Sequence, residues 1–206
     1  MKFKFIFLIF VFLFLSVLPA AANDNAEVFF SVLDEFEQEE LIKGDGETIS
    51  YGDYEDELPL LNYYRWNPFT EAENFVLSAD ISWVSSVERP TFSGTGCGVI
   101  FNSKDKGNHL LLSIRADGHV YITGYKDSTS FSYEKYKFGN NSPNGSIHLD
   151  LIVENKKAIV FIDGRRMFTN SALSSFGEKV GFATISGTNL DFGTKCNYSN
   201  IFMYKW

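Results

Sequence analysis

Three residue types common in enzyme active sites, Arg115, Asp117 and His119, fall within five consecutive positions of the segment LLLSIRADGHVYITG. A histidine beside a carboxylate can act as a general acid or base, and an arginine can hold an anionic group. The same residues also fit a turn between two strands, because Asp-Gly is a common hairpin sequence. The pairing of the flanking residues decides between these interpretations.

The apolar residues on either side favour the turn. A two-residue loop, 117–118, would mix apolar and polar side chains on each face of the hairpin. A three-residue loop, 116–118, pairs Ile114 with Val120 and makes one face wholly apolar. Gly118 then adopts the left-handed conformation that ends such a loop. We therefore predict a turn here rather than a catalytic cluster.

The outward face of this hairpin is the first candidate binding surface. The register places Arg115 opposite His119, next to Tyr121. An aromatic ring can stack on the apolar face of a sugar while charged neighbours bind its hydroxyls. The three residues are predicted to form the rim of a binding surface, and a surface charge cluster without function is the alternative.

A three-stranded meander is predicted in the segment SIHLDLIVENKKAIVFIDGRRMF, residues 146–168. Turns at 155–156 and 163–164 give it a continuous apolar face and pair Val160 with Met167. The other face is polar and is either solvated or a shallow binding surface.

The polar face of the meander supplies the second candidate group. His148 and Asp150 are two residues apart and so share one face of a strand. Arg166 can join them. A surface ion pair of little energetic value is the alternative to a ligand-binding or catalytic role.

An aromatic cluster in LLNYYRWNPF is the third candidate group. Tyr63 and Trp66, with Tyr64 between them, could contact a ligand or could simply pack in the core.

No metal or cofactor is predicted. Asp53, Asp56 and Glu57 could hold a calcium ion, but they lack the ordered spacing of a known calcium loop and are interpreted as a solvated turn. The three histidines show no ligand pattern with the cysteines. The acidic run 35–40 is interpreted as a solvated helix face or linker.

The N-terminus has the pattern of a secretory signal peptide. Lys2 and Lys4 precede an apolar run from Phe5 to Leu15, and small residues follow up to Ala22, where we predict cleavage. An uncleaved membrane anchor is the alternative, because the run extended to Ala22 is near the lower limit of about 17 to 20 residues for a bilayer span. The mature protein is expected to be secreted or extracytoplasmic.

The remaining chain is predicted to be one all-β domain. The chain has 206 residues and a formal net charge of −8, which argues against nucleic acid or an anionic membrane as partner. Residues 23–46 fit either a short helix or an edge strand. From residue 47 to 206 short β-rich runs alternate with turn residues, without helical patterns, as in a sandwich or barrel. The predicted strands are Thr48–Tyr51, Leu60–Trp66, Asn74–Ser85, Gly98–Phe101, His109–Arg115, His119–Tyr125, Ser146–Glu154, Ala158–Ile162, Met167–Thr169, Lys179–Thr184 and Ser199–Trp206.

The two cysteines, Cys97 and Cys196, are predicted to form a disulfide, since an even pair in an exported protein is first interpreted in that way. A bond between them would close a loop of about 100 residues, which would stabilise the fold by about 4 to 5 kcal/mol in the chain-entropy model.

The order and spacing of several segments resemble the concanavalin A-like lectin/glucanase superfamily, in its laminin-G-like bacterial extracellular form. These segments are FVLSADISW, GTGCGVIFN, HLLLSIRADGHVYI, SIHLDLIVENKKAIVFIDGRRM, FGEKVGFAT and CNYSNIFMYKW. The resemblance covers residues 70–206 well and 23–69 loosely. It implies a two-sheet antiparallel jelly-roll sandwich whose first and last core strands are neighbours. It also fits a Cys97–Cys196 bridge between adjacent strands.

The resemblance implies several functions, because this fold carries lectins, carbohydrate-binding modules, glycanases and adhesion domains. The Glu-x-Asp-x-x-Glu pattern of the glucanase branch is absent. We therefore expect an exported, non-catalytic binding or adhesion module, most plausibly for carbohydrate. A glycoside hydrolase or sugar-modifying hydrolase of the same fold is one alternative. A cell-surface structural domain that binds another protein is the other.

Overall fold

The computed structural model of the protein describes residues 20–88 and 94–206, so most of the predicted signal peptide lies outside the described residues. The described residues form one helix and thirteen strands. They are α1 (Ala20–Gln38), β1 (Glu47–Tyr51), β2 (Tyr54–Leu58), β3 (Tyr63–Glu71), β4 (Phe75–Ser85), β5 (Gly96–Asp105), β6 (Asn108–Arg115), β7 (His119–Lys126), β8 (Thr129–Lys137), β9 (Asn144–Glu154), β10 (Lys157–Ile162), β11 (Arg165–Asn170), β12 (Lys179–Ser186) and β13 (Thr194–Lys205). Within these residues, no helix is both long enough and apolar enough to cross a membrane.

The strands form two antiparallel sheets that pack face to face. The seven-stranded sheet has the order β1, β13, β4, β9, β10, β11, and β2 also pairs with β13. The six-stranded sheet has the order β3, β12, β5, β6, β7, β8. The first strand, β1, pairs with the last, β13, as the resemblance implied. The predicted all-β jelly-roll sandwich is therefore confirmed.

The core lies between the sheets and follows the two-residue period of each strand. Strand β4 directs Phe75, Leu77, Ala79, Ile81 and Trp83 inward, and these side chains are almost completely buried. Strand β6 of the facing sheet contributes Leu110, Leu112 and Ile114. Because side chains alternate between faces, the residues between these positions point outward from the sandwich.

The predicted disulfide joins Cys97 and Cys196, whose Cα atoms are 5.8 Å apart. The expectation that both cysteines lie on adjacent strands was wrong. Cys97 is on β5 of the six-stranded sheet and Cys196 is on β13 of the seven-stranded sheet, and both side chains point into the core. The bond therefore links the two sheets across the core.

The hairpin registers follow the apolar pattern, with one exception. Ile114 pairs with Val120 across the three-residue loop, and Gly118 has a φ of 75°, both as predicted. The turn at 155–156 pairs Leu151 with Val160 and so gives the predicted apolar face. The expected pairing of Val160 with Met167 was wrong, because a β-bulge after Val160 places Phe168 opposite it. The core face therefore continues through Phe168.

Residues 20–38 form a helix, and not the edge strand that the sequence also allowed. Helix α1 directs Phe29, Leu33 and Phe36 onto the outer face of the seven-stranded sheet. There they pack with Val76, Ile152, Ile159, Phe161 and Tyr204. The spacing of four and three residues places the three side chains on one side of the helix. Helix α1 therefore covers the apolar part of this outer face.

Strands β2 and β8 were not predicted. The segment that contains β2 was interpreted as a solvated turn, but its three consecutive carboxylates lie on a strand and are paired. Asp56 binds Arg65, and Glu55 and Glu57 contact Lys195. Strand β8 is an edge strand with mostly exposed polar residues, so its apolar pattern is weak.

Candidate functional site

An aromatic platform occupies one end of the outer face of the six-stranded sheet. It consists of Tyr64, Trp66, His109 and Tyr125. Tyr64 and Trp66 are on β3, where they pair with outward-facing residues of β12. His109 on β6 pairs with Tyr125 on β7, so both side chains share the same face. Strand alternation thus brings four rings from three strands together.

The rings of the platform are in contact around His109, whose side chain is fully buried. The ring centroids of His109 and Tyr125 are 4.6 Å apart, with planes at 18°. Tyr64 lies 5.3 Å from Tyr125, and Trp66 lies 5.8 Å from His109. Tyr64, Trp66 and Tyr125 remain partly exposed. Below them is an apolar floor made of Ile100, Leu111, Ala183 and Ile185.

The platform is electrically neutral at its centre. The Tyr64 hydroxyl and Nε2 of His109 are 2.9 Å apart and hydrogen-bonded. Nδ1 of His109 is buried and has no hydrogen-bond partner of normal geometry, although the Asp105 backbone lies close enough to favour its protonation. Burial dominates and lowers the pKa of His109, and burial also raises the pKa of Tyr64. Both side chains are therefore uncharged at pH 7.

A depression of about 150 Å³ adjoins the platform and is lined by Tyr63, Tyr64, Arg65, Trp66 and Lys106. Tyr63, a predicted candidate, is 54% exposed at the rim. Its ring centroid is 6.3 Å from that of Tyr64. Two tyrosines and a tryptophan, with two cations beside them, thus surround an accessible concavity.

The predicted group Arg115, His119 and Tyr121 lies at the other end of the same outer face. The guanidinium carbon of Arg115 is 4.4 Å from the Tyr121 ring centroid, a cation–π geometry. The Tyr121 hydroxyl donates to Asp117, and the backbone N–H of His119 also donates to that carboxylate. Burial and Asp117 raise the pKa of Tyr121 to about 12. The nitrogen of Lys135 is 5.3 Å from the same ring centroid. We call Arg115, Tyr121 and Lys135, with Lys137, the cationic end.

The predicted pair His148 and Asp150 belongs to a polar cluster beside the N-terminal part of α1. His148 Nδ1 is 2.7 Å from Asp80 Oδ1, and His148 Nε2 is 3.2 Å from the Ser78 hydroxyl. Asp150 Oδ1 lies 3.4 Å from His148 Nε2 but makes no well-aligned hydrogen bond. Asn200 donates to Asp80 and accepts from Asn25 of α1. The chain of contacts attaches α1 to the sheet.

His148 carries a positive charge at neutral pH. Asp150 makes the largest contribution and Asp80 adds to it, and together they outweigh the opposing effect of burial and raise the pKa of His148 to about 9. A cavity of about 160 Å³ lies beside this cluster. It is also lined by Phe202 of β13 and by Phe29 and neighbouring residues of α1.

The remaining candidates are not brought together. Arg166 is on β11, two strands from His148, and binds Thr169 instead. Asp56 and Glu57, candidates for calcium, are paired with Arg65 and Lys195. Across residues 20–88 and 94–206, no group of three or more His, Cys, Asp or Glu side chains is arranged to hold a metal ion.

Sequence reasoning missed the centre of the platform. His109 and Tyr125 were assigned to strands, but their pairing was not drawn from the predicted hairpin. Extending that register from Ile114 and Val120 for five more residues would have placed them opposite each other. Asp80 was missed because its partner His148 is 68 residues away, on a strand whose neighbour the sequence does not identify.

Comparison with solved structures identifies the class of fold. The carbohydrate-binding module CBM66 from Bacillus subtilis matches with a TM-score of 0.56 and 12% identity, covering 75% of this chain and 92% of the module. A fructosyltransferase from A. japonicus matches with a TM-score of 0.51 and 11% identity, covering 79% of this chain and 26% of the enzyme. The β-fructofuranosidase of Aspergillus kawachii matches with a TM-score of 0.51 and 16% identity, covering 78% and 27%.

At these identities the likeness shows the fold alone, a jelly-roll sandwich of the concanavalin A-like kind. The chain spans almost the whole of the Bacillus subtilis module but only about a quarter of each fungal enzyme. No protein-family model matches the chain, and no curated protein sequence does either.

Proposed function

We propose that this protein is an exported, non-catalytic carbohydrate-binding module, related to laminin-G-like domains, that binds its ligand on the outer face of the six-stranded sheet. The observation that carries the proposal is the aromatic platform, where partly exposed rings of Tyr64, Trp66 and Tyr125 lie over an apolar floor. Planar rings can stack on the apolar faces of sugars, and the hydroxyl groups and cations around them can bind sugar hydroxyls.

Three further observations support the proposal. Helix α1 covers the apolar part of the opposite outer face, whereas the face with the platform has no helix over it in the described residues. The disulfide between Cys97 and Cys196 fits an oxidising compartment outside the cytoplasm. A solved structure of similar fold and length is itself described as a carbohydrate-binding module.

The proposal is tested with the mature protein on a glycan array, with and without calcium. The array should include β-fructans, because two proteins of similar fold are described as a fructosyltransferase and a β-fructofuranosidase. We expect at least one polysaccharide to bind, and Trp66→Ala should weaken that binding about tenfold, equivalent to about 1.4 kcal/mol.

Phe30→Ala is the matched control, because Phe30 is an aromatic residue that is 50% exposed on α1, behind the other sheet. It should leave binding unchanged. The melting temperature of both variants shows whether the fold is intact. Absence of binding to any glycan by the folded wild-type protein would contradict the proposal.

A sugar-modifying hydrolase is a second candidate function, supported by one arrangement. Ser78, His148 and Asp80 have the contacts of a catalytic triad, with 3.2 Å from the serine hydroxyl to Nε2 and 2.7 Å from Nδ1 to the carboxylate. Ser78 is 3% exposed and lines the cavity beneath α1.

The electrostatics of the cluster oppose this chemistry. A general base must be neutral, but Asp150 and Asp80 keep His148 protonated below about pH 9. Ser78 is also buried in the interior of β4, between β9 and β13, and not on an exposed turn that a substrate could reach. We expect no labelling of Ser78 by a fluorophosphonate probe at pH 7.5. Labelling that is lost in Ser78→Ala would favour the hydrolase.

A further inference from the structure

The charges on the outer face of the six-stranded sheet differ from those of the protein as a whole. On β6, β7 and β8 the cross-strand pairs include His119 with Lys137, and Tyr121 with Lys135, and Arg115 ends β6 beside them. The outward positions on these strands are His109, Leu111, Ser113, Arg115, His119, Tyr121, Thr123, Tyr125, Ser130, Ser132, Lys135 and Lys137. None of them is acidic, although the protein has 26 acidic and 18 basic residues.

The cations of this face make no ion pair in the described residues, whereas four others, Lys43, Arg65, Lys195 and Lys205, do. Ion pairs join Lys195 to Glu55, and Lys205 to Glu47, on the seven-stranded sheet. In the part of the chain that the structure describes, no ion pair involves Arg115, Lys135 or Lys137. These three cations therefore share a face whose outward strand positions carry no carboxylate, and they make no ion pair within residues 20–88 and 94–206.

The Arg115 guanidinium is held in a position to bind a further group. Its face lies over the Tyr121 ring, and its Nε donates to the Ser113 hydroxyl. Stacking leaves the edge of the guanidinium available, and its two terminal nitrogens have no partner among the described residues. Asp117, in the adjoining turn, already accepts from Tyr121 and His119. An anion from outside the chain would complete this arrangement.

We infer that the ligand is an anionic polysaccharide, whose carboxylate or sulfate groups bind the cationic end while its sugar rings stack on the aromatic platform. The inference rests on the proposed function and specifies its substrate class. Strand β6 carries both ends, and six residues separate His109 from Arg115. At about 3.3 Å per residue the two ends are about 20 Å apart, so one extended oligosaccharide can contact both.

The test measures dissociation constants of the wild-type protein for four polymers at low salt. These are polygalacturonate, dextran sulfate, uncharged dextran and single-stranded DNA. We expect polygalacturonate or dextran sulfate to bind at least tenfold more tightly than dextran, with binding weakened by added salt. Whichever of the two binds better shows whether carboxylate or sulfate is preferred.

Variants then locate the anion. Arg115→Gln with Lys135→Gln should weaken binding of the anionic polymer about tenfold, since two charge-assisted contacts are lost. Lys156→Gln with Arg166→Gln removes the same charge from the other sheet. When the variants are compared at about 0.15 M salt, where the Debye length is about 8 Å, this control should change binding less than about twofold.

Three results would overturn the inference. Equal weakening by both double variants would show a general charge effect, and DNA binding as tight as the anionic polysaccharides would show unspecific polyanion binding. A neutral polysaccharide that binds through Trp66 and is indifferent to Arg115 and Lys135 would overturn the inference and leave the proposed function intact. Failure of every polysaccharide, charged or neutral, would remove the proposed function as well.

Discussion

The imidazole of His109 stacks on the ring of Tyr125 at a centroid distance of 4.6 Å and is completely buried at the centre of the aromatic platform. A neutral imidazole fits this environment, whereas an imidazolium would lack both solvent and a counter-charge within hydrogen-bond reach. The folded state therefore resists protonation of His109, and burial lowers its pKa below 6.5.

The stability contributed by neutral His109 should be present above pH 6.5 and decline as the pH falls below it, because the unfolded chain takes up the proton first. Measuring the melting temperature between pH 7.5 and 5 tests this, with His109→Gln expected to show a shallower decline. An NMR titration midpoint for His109 at or above 6.5 would contradict the account.

His148 should show the opposite pH dependence. Its pKa is raised to about 9 by Asp150 and Asp80, so its contribution is complete below pH 6.5 and is lost as the pH rises through about 9. Thermal unfolding between pH 6.5 and 9.5 should show a falling melting temperature in the wild type and a smaller fall in His148→Gln. An identical slope in both proteins would show that Asp150 and Asp80 do not raise the pKa of His148.

Removing the disulfide should destabilise the sandwich strongly. The bond joins residues 99 apart in sequence and connects facing sheets, so its loss releases a long loop in the unfolded chain. Cys97→Ser with Cys196→Ser should lower the free energy of unfolding by about 4 to 5 kcal/mol in the chain-entropy model, measured by urea denaturation. A loss below about 1 kcal/mol, or two titratable thiols in the denatured, unreduced wild-type protein, would contradict this.

Two adjacent phenylalanines of α1 provide an internal test of how the helix is docked. Phe29 is 2% exposed and stacks on Phe202 at 5.2 Å, whereas Phe30 is 50% exposed. Phe29→Ala should cost about 3 to 5 kcal/mol, typical of a buried Phe→Ala change. Phe30→Ala should change stability by less than about 0.5 kcal/mol. Similar effects of both substitutions in urea denaturation would show that α1 is not held on the sheet as described.

The sequence was sufficient where apolar residues alternate on neighbouring strands of one hairpin. Ile114 and Val120 could be paired because a shift of one residue would have moved every side chain to the wrong face. The same reasoning failed at Val160, where a bulge inserts an extra residue that the pattern does not reveal. Strand β2 was missed because its three consecutive carboxylates show no apolar alternation, and their partners are far away in sequence, as Lys195 is from Glu57.

The candidate site depends on contacts between strands that are far apart in sequence. Arg115, His119 and Tyr121 are within one hairpin, so the sequence could place them together. Trp66 on β3 and His109 on β6 share one outer face because β12 and β5 join these strands into a single sheet. Composition and spacing do not encode this strand order. For the same reason, Cys97 and Cys196 could be paired but not assigned to facing sheets.

The central claim, that a glycan binds on the outer face of the six-stranded sheet, is tested most directly by the indole N–H signals of the three tryptophans. Trp66 is on the platform, Trp83 is in the core and Trp206 packs beside α1. When a glycan that binds the mature protein is titrated into ¹⁵N-labelled protein, the Trp66 signal should shift and saturate while the other two stay in place. A bound glycan that shifts Trp206 and leaves Trp66 unchanged would contradict the account.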